Sequence, residues 1–168
     1  MPRKYRRHFL KAKEVKSILS EASEKLKVDF NQIFKNKVEL ELVETDFAEI
    51  FLVNGKPLLF RVEGKIVPTL VFNELFASMS KVVVDMGAVP YVCNGASVMA
   101  PGIVRFEREF KKGDLVFIVD EKHGKAIAVG EAVYDIAAAD KVTKGVVMKN
   151  IHFVGDKIWD FIKKLNNI

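Results

Sequence analysis

The chain has little of the chemistry that disulfides and metal sites need. It has one cysteine, Cys93, and three histidines, His8, His123 and His152, none of which has a partner at metal-ligand spacing. One cysteine cannot form an intramolecular disulfide, and it cannot make a zinc site on its own. We therefore expect a protein of the reducing cytoplasm that binds no metal and no other cofactor.

Long apolar runs and nucleotide-binding loops are also missing. No run of about 18 uncharged apolar residues occurs, so the sequence predicts no membrane span. No apolar segment follows the basic N-terminus, so it predicts no secretory signal. It contains neither a phosphate-binding loop nor a dinucleotide-binding fingerprint. A Cys93 nucleophile would need a histidine and a third group that orients it, and the sequence suggests no such third group. We expect no catalytic activity.

Positive charge is concentrated at the N-terminus. The chain carries +5 overall, whereas residues 1–16 hold seven basic residues and one acidic residue. Aromatic residues lie between these charges, and such a cluster is typical of a surface that binds a polyanion such as RNA. A solvated tail is the alternative interpretation. The residues expected to contact phosphates are Arg3, Lys4, Arg6, Arg7, Lys11 and Lys13.

The first half of the chain mixes helix and strand patterns. Apolar residues recur at helical spacing over 13–27, and apolar residues alternate with glutamates over 38–44. Asn54-Gly55 is the strongest short signal for a hairpin, and Glu63-Gly64 predicts a second turn. The predicted helices are 13–27, 30–36 and 70–79, the last opening at Pro68-Thr69, and the predicted strands are 38–44, 47–53, 58–62 and 66–67.

Short strands and turns dominate the second half, which predicts a small barrel or sandwich and an α+β fold class. Segment 75–80, LFASMS, is not as rich in Gly, Pro and Ser as a flexible linker. We therefore expect two domains, 1–76 and 77–168, that pack against each other in a monomer. The predicted strands are 81–85, 115–119, 126–133, 146–148 and 151–154, the helical turns are 87–93 and 135–142, and Asp156 caps a final helix.

The final helix contains Trp159 and Phe161. We expect these side chains to pack on the barrel. A stacking platform for a base at Trp159 is the alternative.

Residues 94–106, NGASVMAPGIVRF, fit neither a helix period nor a polar loop. Gly95 and Gly102 permit backbone conformations closed to other residues and let a ligand approach the main chain. The small and apolar residues of this segment would form a surface that suits unstacked nucleotides, which are recognised by shape and backbone hydrogen bonds. Alternatively, the glycines serve only tight turns. The side chains assigned to the core in that alternative are Val98, Met99 and Ile103.

An ordered set of motifs in the second half resembles a PUA domain, named for pseudouridine synthase and archaeosine transglycosylase. The motifs are Asp85-x-Gly87-Ala88 before a short helix, GASVMAPGI over 95–103, Gly113-Asp114 before an apolar strand, and Ala128-x-Gly130 on the return strand. The closing KGVVMKNIHFVGDKIWDF and the opening RKYRRHFLKAKEVKSIL are similar to two-domain pre-PUA/PUA proteins. These are the malignant-T-cell-amplified and translation-machinery-associated group, here in an archaeal-looking form.

This resemblance implies a pseudobarrel that binds RNA behind an N-terminal α/β pre-PUA-like domain. It implies a role in translation, with contact to the tRNA 3′ end or to small-subunit rRNA during initiation or recycling. The small ribosomal subunit and a density-regulated-type protein are the implied partners. The RNA-facing positions that it implies are Gly87, Ala88, Gly95, Ala96, Val98, Met99, Pro101, Gly102 and Ile103. Arg105 and Arg108, just beyond them, are expected to meet phosphates.

The sequence is also compatible with two other functions. The chain could be the separate RNA-docking subunit of a tRNA-modifying enzyme, since it has no catalytic half of its own. It could also be a protein-interaction module whose basic end is incidental. A tight catalytic partner would identify the first, and a lack of RNA binding at any salt concentration would favour the second.

Overall fold

The computed structural model describes residues 5–166 of the chain as two sheets with helices against them. No helix in this range is long and apolar enough to cross a membrane. The helices are α1 (Ala12–Leu26), α2 (Phe30–Ile33), α3 (Asn73–Phe76), α4 (Val89–Val92), α5 (Ile136–Ala139) and α6 (Lys157–Asn166). The strands are β1 (Arg6–Phe9), β2 (Leu40–Glu44), β3 (Glu49–Val53), β4 (Lys56–Val62), β5 (Lys65–Pro68), β6 (Lys81–Val84), β7 (Val98–Met99), β8 (Ile103–Glu107), β9 (Leu115–Asp120), β10 (Ala126–Ala132) and β11 (Val146–Phe153).

The first sheet has the strand order β1-β2-β3-β4-β5, and every neighbouring pair is antiparallel. Two-residue turns join its last three strands. Asn54 and Gly55 have φ of 50° and 85°, and Glu63 and Gly64 have φ of 51° and 77°. Positive φ at both central residues matches the twist of a hairpin. Both predicted turns are confirmed.

Strand β1 was not expected, because its sequence, RRHF, has no alternation of apolar and polar residues. It lies at the edge of the sheet, where Arg6 pairs with Glu44 and Phe9 with Glu41. All four of its side chains are exposed. Positively charged residues on an edge strand discourage pairing with another chain. Part of the basic N-terminus is therefore a fixed strand rather than a tail.

The predicted helix at 70–79 is wrong in its extent and in its opening at Pro68. Pro68 ends β5, where it pairs with Leu59. The Thr69 backbone N–H then donates to Leu58 O, and its hydroxyl donates to Pro57 O at 2.7 Å. These bonds keep the backbone extended past the proline, and only the four residues of α3 are helical.

The second sheet has the order β7-β11-β10-β9-β6-β8, with β6 parallel to β9. Two short strands were predicted at 146–148 and 151–154, but β11 runs unbroken through both. Val129 pairs with His152 and Gly130 pairs with Asn150, so Ile151 is the extra residue of a β-bulge. This bulge interrupts the alternation of side-chain directions along β11. Strands β7 and β8, which both begin within residues 94–106, were also not expected.

The two sheets pack against each other through β9, which is buried along its whole length. Its side chains alternate between two cores, as the period of a strand requires. Val116 and Ile118 lie in the core of the second sheet, whereas Leu115, Phe117 and Val119 join the core of the first. The division at residues 76 and 77 stays a prediction, although the change of sheet falls between Pro68 and Lys81.

Helix α6 spans both sheets, instead of packing on the barrel alone as predicted. Ile158 and Ile162 are buried in the core that β9 shares with the first sheet, and the Phe161 ring meets Tyr5 edge-on at 5.2 Å. Trp159 is half-buried under the Lys163 ammonium, 4.6 Å from its ring centre. The N-cap prediction is confirmed, because Asp156 Oδ1 accepts from the Trp159 backbone N–H at 2.7 Å.

His152 is a structural residue that joins the two sheets. It is fully buried on β11, its Nδ1 lies 2.7 Å from Asp156 Oδ2, and its ring meets Phe60 of the first sheet edge-on at 5.1 Å. Burial by itself raises the pKa of Asp156, but the hydrogen bonds from His152 and from two backbone N–H groups outweigh it and hold this pKa below its ordinary value.

Candidate nucleic-acid interface

A tight turn at Gly95 begins the segment 94–106. Gly95 has φ of 97°, and its backbone N–H donates to Val92 O at 3.0 Å. A Cβ at this position would lie 3.2 Å from the Phe153 ring. The backbone conformation therefore favours glycine, and the neighbouring ring leaves little room for a Cβ. The Ala96 backbone N–H donates to Tyr91 O at 3.0 Å and ties the turn to α4.

Gly102 serves close packing rather than an unusual backbone conformation, which corrects the expectation from the sequence. Its φ is not positive. A Cβ at Gly102 would lie 3.1 Å from the Cβ of Ala88. The Gly102 carbonyl also accepts from the Asp85 backbone N–H at 2.9 Å. Gly102 thus lets β8 approach the segment that leads into α4.

Asp85 shapes the turn before α4. Its Oδ1 accepts from the Ala88 backbone N–H at 2.9 Å, and a Cβ on Gly87 would lie 3.3 Å from the same oxygen. This is the local hydrogen bond of an aspartate turn. The motif Asp85-x-Gly87-Ala88 therefore fixes the start of α4 beside Gly102.

Asn150 fastens α4 and the Gly95 turn to β11, and the sequence analysis missed it. Its Nδ2 donates to Val92 O at 3.0 Å and to Ala96 O at 2.9 Å, and its backbone N–H donates to Ser97 Oγ at 3.3 Å. The only signal in the sequence is a polar residue inside an apolar strand. That signal does not say which backbone groups the amide meets.

The predicted RNA-facing positions divide into exposed, half-buried and buried groups. The side chain of Val98 is only 2% exposed and belongs to the core of the second sheet, so it cannot contact RNA. Ala88, Gly102 and Ile103 are half-buried. We use the name loop face for the exposed positions, which are Gly87, Gly95, Ala96, Met99 and Pro101.

Large apolar side chains that the prediction did not include lie around the loop face. Tyr91 is 70% exposed on α4, next to Ala96 through their backbone hydrogen bond. Val146 is 38% exposed and pairs with Met99. Two further exposed apolar side chains, Met86 and Val104, are next in sequence to Gly87 and Ile103. Such a concentration of exposed apolar residues marks an interaction site.

The charges near the loop face are distributed unevenly. Residues 86–104 contain no charged side chain, and residues 141–149 contain three lysines and no acid. The second segment adjoins the loop face, because Ala100 N–H donates to Gly145 O at 2.9 Å. On another side, Glu121 Oε1 accepts from the Met86 backbone N–H at 3.4 Å. The loop face is therefore uncharged, with lysines in the adjoining residues 141–149 and an acid beside Met86.

Arg105 and Arg108 do not converge on the loop face. Arg105 is exposed, but its Nε lies 3.0 Å from Glu107 Oε2. Arg108 follows the far end of β8, roughly 15 Å along the chain from Ile103 at the usual rise of a strand. There its guanidinium donates to Ser78 O at the junction of the sheets. Arg108 therefore lies away from the loop face, and its contact with phosphates stays a prediction.

The basic N-terminus occupies β1 and the start of α1. Arg7 forms two hydrogen bonds with Glu41, at 2.9 and 3.0 Å, which raise the pKa of its guanidinium. Arg6, Lys11 and Lys13 are exposed. The Lys11 backbone N–H donates to Glu14 Oε1 and caps α1, but positive side-chain charges at a helix N-terminus oppose the helix dipole, so the charges of Lys11 and Lys13 do not stabilise α1. Arg3 and Lys4 lie outside the described residues.

Cys93 lacks the surroundings of a reactive thiol. It is half-buried at the end of α4, and burial raises the pKa of its thiol. Nucleophilic cysteines have a lowered pKa, because the thiolate is the reacting form.

Comparisons with known proteins match the two halves of the chain to two different families. Residues 80–154 match the PUA domain family, and residues 6–73 match a family described as a domain of unknown function (DUF1947). A solved structure of a PUA domain protein from Aeropyrum pernix is similar, with a TM-score of 0.82, 29% identity and coverage of 96% of this chain and 94% of that one. A hypothetical protein of Pyrococcus horikoshii has a TM-score of 0.79, 36% identity and coverage of 94% and 99%.

The fold and these matches define a PUA-domain protein with a second, N-terminal domain, and a PUA domain indicates RNA binding. Malignant T-cell-amplified sequence 2 of the mouse is 32% identical over 88% of this chain and 84% of its own length. Translation machinery-associated protein 20 of Saccharomyces cerevisiae is 29% identical over 90% and 86%. An uncharacterised protein of Methanocaldococcus jannaschii is 42% identical over 93% and 96%. The chain belongs to the family of these proteins. The name of the Saccharomyces cerevisiae protein indicates a role connected with translation.

Proposed function

We propose that this protein binds the single-stranded 3′ end of tRNA on the loop face during translation initiation or recycling in the cytoplasm. The observation that carries the proposal is a PUA domain whose exposed segment around the Gly95 turn is uncharged and apolar, with lysines in the adjoining residues 141–149. Small-subunit rRNA is the alternative RNA. The small ribosomal subunit and a density-regulated-type protein are the proposed partners.

The loop face suits an unpaired RNA end for a physical reason. A double-stranded RNA helix hides its bases in a deep, narrow groove, whereas a single-stranded end presents base faces and edges. Gly87 and Gly95 leave backbone exposed there, and Asn150 and Asp85 hold that backbone in place. Such a surface makes shape and backbone contacts without rearranging, which reduces the entropic cost of binding.

The basic end supplies contacts that do not depend on sequence. Arg6, Lys11 and Lys13 are exposed on β1 and at the start of α1. Each phosphate contact adds about 0.7–0.9 to the slope of log K against log salt. Changing all three residues to glutamine is therefore expected to make the slope shallower by about 2 units. The same change at the exposed Lys35, Lys37 and Lys56 is the matched control, and an unchanged slope in the first variant would remove this role.

A charge placed on the loop face tests the proposal most simply. Met99 is 49% exposed, so Met99→Glu adds a negative charge without disturbing the core. We expect tRNA binding to weaken about tenfold, since a like charge at an interface costs at least 1–2 kcal/mol. Ala77→Glu is the control, because Ala77 is exposed and lies in the chain segment that connects the two sheets. Equal binding by both variants would place the RNA elsewhere.

A further inference from the structure

Tyr91 has an exposure that its place in the fold does not explain. At 70%, its side chain is the most exposed large apolar residue in the part of the chain that the structure describes. Its neighbour in α4, Val92, is 2% exposed and packs in the core of the second sheet. The short helix is therefore anchored by Val92, and the tyrosine ring adds nothing to that core.

The backbone that carries Tyr91 is held from three sides. Its N–H donates to Ala88 O at 3.1 Å, and its carbonyl accepts from the N–H groups of Asn94 and Ala96 at 3.1 and 3.0 Å. The next carbonyl, Val92 O, accepts from Asn150 Nδ2 at 3.0 Å. Because this backbone is fixed and a tyrosine side chain has only two torsions, the ring can bind a partner with a small loss of entropy.

The backbone of Tyr91 directly adjoins the loop face. Ala96 is tied to Tyr91 by the hydrogen bond given above, and Pro90 precedes the ring with its own side chain exposed. Both neighbours are small and uncharged. A flat partner can therefore lie against the ring without desolvating a charge.

We infer that Tyr91 is a stacking platform for one unpaired RNA base next to the nucleotides on the loop face, which rests on the function proposed above. The charges favour a nucleic acid as the occupant. The ring lies in a segment without charged side chains, residues 86–104, and the adjoining residues 141–149 carry Lys141, Lys144 and Lys149 without an acid. An acid, Glu121, contacts this segment at its first residue, where it meets the Met86 backbone N–H. An apolar platform for a base with cations around it for phosphates is the arrangement found where proteins bind single strands.

Substitutions at Tyr91 separate stacking from other contacts. Tyr91→Ala is expected to weaken binding of tRNA with an intact 3′ end by about 5- to 150-fold, the range measured for removing one stacked base contact. Tyr91→Phe should keep wild-type affinity within about twofold, and Tyr91→Leu should resemble the alanine variant. The slope of log K against log salt should not change in any of them, because no charge is removed. Thermal unfolding of each variant checks that the fold is intact.

A fluorescent base reports the stack itself. A short single-stranded RNA with 2-aminopurine at its 3′-terminal position is titrated with the wild type and each variant. Quenching by the wild type and Tyr91→Phe, with none by Tyr91→Leu, is expected. If the wild type binds no RNA at all, the proposed function fails. If the wild type binds RNA and Tyr91→Ala binds it equally well, the function stands and the stacking inference is overturned. Loss of affinity in Tyr91→Phe would also overturn it, since a hydroxyl hydrogen bond would then be responsible.

Discussion

Asn150 holds the candidate interface together, and its removal is the most informative single change. Asn150→Ala deletes the two hydrogen bonds from Nδ2 to Val92 O and Ala96 O. A neutral hydrogen bond contributes about 1 kcal/mol, so the two contribute about 2 kcal/mol. The buried Oδ1 has no hydrogen-bond partner among the described residues, so its loss does not add to the cost. We expect the free energy of unfolding to fall by about 1–2 kcal/mol.

The same change is expected to loosen the turn at Gly95 and weaken RNA binding. For a chain of 168 residues, a loss of 1–2 kcal/mol lowers the melting temperature by about 2–8 °C. Calorimetry measures this shift, and tRNA titration measures binding at a temperature where both proteins are folded. Asn150→Asp keeps the shape but replaces the donor with a charge facing two carbonyls, so it should be at least as damaging. Asn36→Ala, at an exposed asparagine, is the control. An Asn150→Ala variant that melts within 1 °C of the wild type would refute the reasoning.

Three further predictions concern the packing and the titrating groups. Gly102→Val is expected to destabilise the protein by about 1–3 kcal/mol in urea unfolding, because its side chain would overlap Ala88; an unchanged midpoint would contradict this. Asp156→Asn should lower stability at pH 7. Because the pKa of Asp156 is lowered in the folded state, that difference should shrink as the pH falls below the ordinary aspartate pKa of about 3.9, and a constant difference would be inconsistent with the lowered pKa. Cys93 should react with iodoacetamide at pH 8 more slowly than in urea-unfolded protein, because burial raises its pKa; equal rates would argue against this.

Local signals in the sequence were sufficient for the hairpins and the longer helices. Asn54-Gly55 determines its turn through backbone preferences of two adjacent residues, and the apolar period of α1 lies within one segment. Strand β1 shows why other elements were missed. It forms because its backbone pairs with the edge of β2. All of its side chains are exposed, so it has no apolar pattern in the sequence.

The candidate site was predictable in outline but not in its surface. The motif around Gly95 and Gly102 indicated a tightly turned segment, and the resemblance to PUA domains indicated its use. Whether a side chain faces solvent depends on the pairing of short strands. Val98 points into the core because it belongs to β7 beside β11, while Met99, the next residue, is exposed. The exposed ring of Tyr91 had no signal of its own, since an aromatic residue in a short helix usually packs inward.

The central claim is that the loop face receives the 3′ end of tRNA. The most direct test compares the binding of intact tRNA with that of tRNA whose 3′-terminal unpaired nucleotides have been trimmed. Binding is measured at two salt concentrations, because the phosphate contacts of the basic end weaken at high salt while contacts to an unpaired end persist. We predict that trimming abolishes most of the binding that remains at high salt. Equal binding of intact and trimmed tRNA at both salt concentrations would contradict the claim.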